Sequence, residues 1–135
     1  MILNDKTSQA LAAAIKFREM RQKIISSNVA NADTPDYKAK VLDFEDALGR
    51  ALDVDGQMSL HTTNQEHYNV GGGGFGGLTP EIYDDPNGIQ SDDGNTVDME
   101  KELSNMMDNK IQYDAAVNLL NKKLALMKYT LNNEK

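Results

Sequence analysis

The chain has 135 residues, the size of one domain, a formal net charge of −7, and neither Cys nor Trp. An acidic balance argues against nucleic-acid binding, which rests on neutralising phosphates. The lack of Cys excludes a disulfide framework and thiolate chemistry, and no run approaches the ~20 apolar residues of a membrane-spanning helix. With 39% apolar and only 6% aromatic residues, elongated helices joined by polar segments fit better than a large core.

The first predicted element is a helix from Thr7 to Asn31. Ala10, Ala13, Phe17, Met20 and Ile24 follow heptad steps, and Leu11, Ala14, Ile15, Ile25 and Val29 widen the stripe to one side. Asn4, Thr7 and Ser8 are all suitable N-caps. Lys16, Arg18, Arg21 and Lys23 make the remaining face basic, with Glu19 and Lys23 in the favourable i,i+4 order. The helix should stop near Asn31, because Pro35 pushes Thr34 towards extended geometry. Asn28 and Asn31 can bond carbonyls left open at the helix end.

Tyr37 to Leu42 reads as a short extended segment. Phe44 to Leu52 reads as a weak amphipathic helix ended by the Gly56 region, and Gln57 to Thr63 as a short strand with Met58, Leu60 and Thr62 alternating. From Asn64 to Asn95 the pattern fades through a Gly-rich run, Gly71 to Gly77, and the turn-rich Tyr83 to Gly88, so disorder or a partner-dependent loop is expected. Between Asp33 and Asp98 fourteen acids meet three bases (Lys38, Lys40, Arg50), whereas the two ends carry seven acids and eleven bases. An acidic middle and basic ends are complementary surfaces for an assembly.

The longest pattern runs from Val97 to Leu131. Met99, Leu103, Met106, Lys110, Tyr113, Val117, Leu120, Leu124, Met127 and Leu131 alternate steps of four and three, and only Lys110 is polar. This is the a/d pattern of a coiled-coil seam. Acids in its first turns (Asp98, Glu100, Glu102) and Lys122, Lys123 and Lys128 later suit the helix dipole. A helix of this length spans about 50 Å at ~1.5 Å per residue. It recovers its ordering entropy only by burying the seam against something else. Met99, Met106 and Met127 on that seam, with Met107 beside it, suit contacts made in several slightly different environments.

Chemistry-bearing motifs are weak. The Gly run contains G-x-G-x-x-G, but without a preceding strand or a following helix and Lys it is no phosphate cradle. Asp85, Asn87 and Gly88 match part of a calcium loop whose first and twelfth positions, Tyr83 and Gly94, lack the required acids. His61 and His67 have no helical zinc spacing and no thiolate partner. No nucleophile elbow or base arrangement is present. The expectation is therefore a protein that is not an enzyme and takes no metal or cofactor.

The segment Ser27-Asn28-Val29-Ala30-Asn31-Ala32-Asp33-Thr34-Pro35-Asp36-Tyr37-Lys38 resembles the N-terminal signature of the bacterial flagellar rod and hook family, which reads roughly Asn, any, Ala-Asn, two residues, Thr, then Gly-Tyr. Asn28, Ala30, Asn31, Thr34, Pro35 and Tyr37 carry the match. The Ala-Asp-Thr-Pro variant followed by a basic stretch and Asp43-Phe44 is similar to the proximal-rod members. At the other end Asp93-Gly94-Asn95-Thr96-Val97-Asp98-Met99-Glu100-Lys101-Glu102, then Gln112-Tyr113 and Leu120-Asn121-Lys122-Lys123, extend the resemblance to about residues 1–60 and 90–131. One departure stands out: Asp36 occupies the position where the family has Gly, which tolerates positive φ more readily.

The resemblance implies a structural subunit of the proximal rod of the flagellar basal body, part of the axial drive shaft and export channel. It implies export without a cleaved signal peptide, and the N-terminus indeed lacks a basic and apolar leader pattern. Implied partners are further copies of itself, other rod proteins, the adaptor FliE and the flagellar export gate. Members tend to have mobile ends as monomers that order on assembly. The expected fold is mainly α, with long terminal amphipathic helices pairing as a coiled coil around a small irregular α/β middle. Residues 1–32 and 96–135 would form the inner coiled-coil domain and residues 33–95 the middle segment with its flexible Gly-rich loop. Phe17, Met20, Ile24, Leu103, Met106, Tyr113, Val117, Leu120, Leu124, Met127 and Leu131 are the expected contacts within and between subunits. The alternatives are a soluble helical-hairpin adaptor or export chaperone that binds a partner helix, and an enzyme that uses the acidic middle with a metal.

Overall fold

The computed structural model describes residues 5–53 and 74–134. Two long helices, α1 (Lys6–Ala30) and α3 (Met99–Asn133), lie antiparallel, and a small middle layer packs against α1. That layer holds strand β1 (Lys40–Asp43), helix α2 (Glu45–Asp53), a single 3-10 turn (Gly74–Gly77) and strand β2 (Glu81–Asp84). The fold is mainly helical with a small α/β middle, as its sequence pattern implies. The strand expected at Gln57–Thr63, both histidines, and Asn64 to Gly73 lie outside the described residues.

The ends of α1 are set by side chains close in sequence. Asp5 is the N-cap and accepts a bond from the Ser8 amide at 2.9 Å, in place of the Asn4, Thr7 or Ser8 cap expected from sequence. At the other end Asn31 is the C-cap, and its side-chain amide donates to the Ser27 carbonyl at 2.8 Å. On α3 the Asp98 carboxylate caps the first turn by accepting from the Glu100 and Lys101 amides, which leaves Met99 as the first helical residue.

The core lies between α1 and the middle layer. Ala13, Phe17, Leu42, Phe44 and Leu78 form its buried centre, and Met20, Ile24, Ala47, Leu48, Ala51 and Phe75 pack around it. Phe17 and Phe44 stack with ring centroids 5.3 Å apart. The Arg21 guanidinium lies over the outer face of Phe44, 4.5 Å from its centroid. From there it donates to the Leu42 carbonyl at 2.8 and 3.1 Å and to both carboxylate oxygens of Glu45 at 2.5 and 2.7 Å. A planar cation with five donors suits this combination of stacking and forked bonding. Burial alone would push the Glu45 carboxyl up, but Arg21 and nearby backbone amides hold it down at about 2.

β1 and β2 pair antiparallel from Lys40↔Asp84 to Asp43↔Glu81, with a Lys40–Asp84 ion pair at one end. Two strands are marginal alone. Here α1 closes the other edge of β1 through Asn28 and Arg21. The stretch from Leu78 to Asn95, expected to be disordered or partner-dependent, is instead ordered as β2 and a defined set of turns. Its order comes from bonds to residues roughly forty to sixty-five positions away, which no local pattern reveals.

Candidate subunit interface

The family-like motif folds into a knot that fixes where α1 stops and α3 starts. Asn28 is almost fully buried at the last turn of α1. Its carbonyl oxygen accepts from the Lys40 amide (2.9 Å) and the Tyr37 hydroxyl (3.1 Å), and its amide donates to the Lys40 carbonyl (2.8 Å). One side chain thus pins the returning chain against the helix. Thr34 Oγ1 bonds Asn31 Oδ1 at 3.1 Å, closing the turn before Pro35. Asp36 adopts a φ of 60°, the left-handed conformation that the family's Gly would supply.

The second half of the knot comes from residues 93–97. Asn95 is buried; its amide donates to the carbonyls of Asn31 (2.9 Å) and Thr34 (2.8 Å), and its Oδ1 accepts from the Val97 amide at 2.7 Å. The Asp36 amide donates to the Asp93 carbonyl (2.9 Å), the Thr96 amide to the Tyr37 carbonyl (3.0 Å), and the Ala39 amide to Thr96 Oγ1 (2.8 Å). Gly94 has a φ of 83° and packs so tightly that an added Cβ would meet Asp36 Oδ1 at 2.1 Å. Lys101 reaches back to Asp85 at 2.9 Å. Both motif halves therefore bond each other, and together they set the antiparallel register of the long helices.

The contact between those helices does not follow the apolar seam. Along α3 the residues turned towards the chain's interior are Glu102, Met106, Asn109, Tyr113, Ala116, Leu120, Lys123 and Met127, all buried or half-buried. They too step by four and three, but every second position is one residue earlier than in the expected seam. Glu102, Asn109 and Ala116 are the fully buried ones. The cause lies on α1. Its heptad residues Ala13, Phe17, Met20 and Ile24 serve the core with the middle layer, so α3 meets the neighbouring flank of α1, which carries Arg18, Glu19 and Gln22. There Asn109 donates to the Arg18 carbonyl (2.9 Å) and Gln22 Oε1 (3.2 Å). The Tyr113 hydroxyl donates to Glu19 (3.1 Å), and Lys123 pairs with Asp5. Burial pushes the Glu102 carboxyl up, partly offset by Asn28 and Lys101 beside it.

What this arrangement leaves open is an apolar row on the outer side of α3. Met99 (44% exposed), Leu103 (47%), Met107 (67%), Ile111 (63%) and Leu119 (56%) recur every fourth residue, with exposed Ala115 between the last two. Such i±4 ridges are the surfaces by which helices pack into one another. Towards the C-terminus Leu126, Tyr129 and Leu131 are exposed as well. Of the expected contact residues, Phe17 is used inside the chain; Met20, Ile24, Met106, Tyr113, Val117, Leu120, Leu124 and Met127 are half-buried; and Leu103 and Leu131 are open. Met107, Ile111 and Leu119 belong to the open row but lie off the heptad seam. The four-residue spacing from Met99 onwards was the signal that marks them.

No His, Cys, Asp or Glu cluster suited to a metal occurs among the described residues. A cleft of about 230 Å³ between α1, β1 and α3 is lined by Arg18, Arg21, Lys101 and Glu102. Arg21 is engaged by Glu45 and Lys101 by Asp85, so these cations are used in holding the fold. No helix in the described residues is long and apolar enough to cross a membrane.

Comparison with known proteins agrees with this geometry. The family described as "Flagella basal body rod protein" matches residues 9–38, which span α1 and the first half of the knot. The chain is 37% identical over 123 residues to the flagellar basal body rod protein FlgB of Cereibacter sphaeroides, covering 91% of each chain. It is 35% identical to that of Aeromonas hydrophila, covering 90% of this chain and 89% of the relative. It is 34% identical to that of Escherichia coli, covering 86% and 88%. With identity above 30% extending over nearly the whole length, both halves of the knot included, the chain belongs to the FlgB family of flagellar basal body rod proteins.

Proposed function

We propose that the chain is a structural subunit of the proximal rod of the flagellar basal body, and that it polymerises through its terminal helices into part of the axial drive shaft and export channel. The observation that carries this reading is the apolar row on the outer side of α3. A 35-residue helix that pairs with α1 through a partly polar face keeps Met99, Leu103, Met107, Ile111 and Leu119 in water unless a neighbour covers them. Contiguous exposed apolar surface of this kind marks an interaction site. The helices of residues 1–32 and 96–135 form the inner coiled-coil layer and residues 33–95 the outer middle segment. Leu103 and Leu131 meet neighbouring subunits together with Met107, Ile111 and Leu119; the half-buried Met106, Tyr113, Val117, Leu120, Leu124 and Met127 are shared between the contact with α1 and the neighbours, while Phe17, Met20 and Ile24 support α1 from within. Further copies, other rod proteins, the adaptor FliE and the export gate are the partners. The site of action is the periplasmic rod, reached by export without cleavage of a signal peptide.

The test is substitution on α3. Ile111→Asp and Leu103→Asp, both at exposed positions, should each leave a soluble, folded protein that no longer enters the rod, read as loss of motility and of the protein from purified basal bodies. Wild-type incorporation of both variants would refute the reading. Stoichiometric capture of a single partner helix without polymer formation would support the adaptor alternative in its place.

A further inference from the structure

We propose that Glu102 and Asn109 are a register key: by presenting a polar face of α3 to α1 they hold α3 so that Leu103, which leads into the open row, stays outward for other copies of the chain. The proposal rests on the rod-subunit reading and adds to it what keeps the interface from being consumed within the monomer. Glu102, Asn109 and Ala116 are seven residues apart and are the three fully buried positions of α3; Lys123 continues the row and is tied to Asp5. One residue after each stands Leu103, Lys110, Val117 and Leu124. Turning α3 by about 50°, half the ~100° between successive helical residues, would bring Leu103 and Lys110 against α1, bury the half-buried Val117 and Leu124 further, and keep Met106, Tyr113, Leu120 and Met127 within the contact. The rotated pairing would be more apolar, yet the chain does not adopt it.

The bonds of Asn109 explain why. Its amide donates to a main-chain carbonyl of α1, that of Arg18, and to Gln22 Oε1, while Arg18 Nη1 donates back to Asn109 Oδ1 at 3.4 Å. These partners exist at one rotation and one stagger only. Any other setting forfeits these bonds or strands the amide, which is how a single polar seam residue specifies register in coiled coils at the expense of stability. Glu102 acts at the other end of the contact, seated beside Asn28, the residue that pins β1 to α1. The two keys therefore tie the rotation of α3 to the motif knot.

The test compares the full chain with the double variant Glu102→Leu/Asn109→Leu. Three quantities are read: the thermal midpoint of the monomer, the cross-linking of a cysteine introduced as Asp5→Cys with either Lys123→Cys or Leu124→Cys, and incorporation into basal bodies. The native chain has no Cys, so each cross-link is unambiguous. The key predicts a midpoint raised by roughly 4 °C or more, a shift of cross-linking from position 123 towards 124, and incorporation lowered at least about tenfold. The conservative pair Glu102→Gln/Asn109→Gln should retain more incorporation than the Leu pair. Wild-type incorporation of the Leu pair would overturn the proposal, as would a lowered midpoint with unchanged cross-linking, which would mean that both residues only hold the fold. If the Leu pair incorporates normally while Leu103→Asp does not, the key fails and the rod-subunit reading stands. If Leu103→Asp and Ile111→Asp both incorporate, that reading itself fails.

Discussion

Asn95 ties the two halves of the motif together, so its removal gives a defined loss. Asn95→Ala deletes three bonds: two donated to the carbonyls of Asn31 and Thr34 and one accepted from the Val97 amide. Both carbonyls keep a second partner, the amides of Thr34 and Tyr37 respectively, so they lose one bond each without being stranded. The Val97 amide loses the partner that Asn95 supplies. At roughly 1 kcal/mol net per bond the loss is about 3 kcal/mol, a large share of the ~5–15 kcal/mol that stabilises a domain. The midpoint should fall by roughly 10 °C. Asn95→Asp is the sharper control. It preserves volume and the acceptor for Val97 but turns a carboxylate oxygen towards two carbonyls, so at neutral pH it should be at least as destabilising as Ala and should improve on acidification. Urea unfolding followed by far-UV circular dichroism at low concentration measures both. An Asn95→Ala variant within about 0.5 kcal/mol of the parent would refute the reasoning, as would an Asp variant more stable than Ala at pH 7.

Phe44→Ala removes the ring stacked on Phe17 and covered by Arg21, and should cost about 3–5 kcal/mol in the same unfolding assay. Gly94→Ala should cost about 1–2 kcal/mol, since φ is 83° and the new Cβ would strike the Asp36 carboxylate. Adding Asp36→Gly removes that obstacle and should recover part of the loss, a coupling read by a double-mutant cycle. Burial raises the folded-state pKa of Glu102, so the folded protein binds that proton more tightly than the unfolded chain does. The penalty is present in full above the raised value and disappears as pH falls below the unfolded one. Glu102→Gln should therefore stabilise the monomer at pH 7 and flatten its gain on mild acidification, as measured by thermal midpoint against pH.

Much of the architecture is legible in local pattern. The helices appear where heptad spacing runs unbroken, α1 ends at Asn31 before Thr34-Pro35, and α2 falls within a residue of the amphipathic stretch at Phe44. The order of residues 78–95 is not legible, because their turns are held by Asn31, Thr34, Asp36 and Ala39 rather than by their own composition. Nor is the conformation of Asp36: the substitution for Gly signals a question about φ, and only the folded chain, with a φ of 60°, the Asp36 amide bonded to the Asp93 carbonyl and Gly94 packed close by, shows that the left-handed form is kept.

The amino-acid order alone determined two long amphipathic helices, the stop of the first near Asn31, and a surplus of apolar side chains on the second, because periodicity and helix-ending signals are properties of residues close in sequence. Which way that surplus faces was decided by the tertiary structure. Phe44 and Leu42 claim the heptad face of α1 for the core, α3 must settle on the flank beside it, and with Glu102 buried there and Asn109 bonded to Arg18 and Gln22 the apolar row of α3 faces outward.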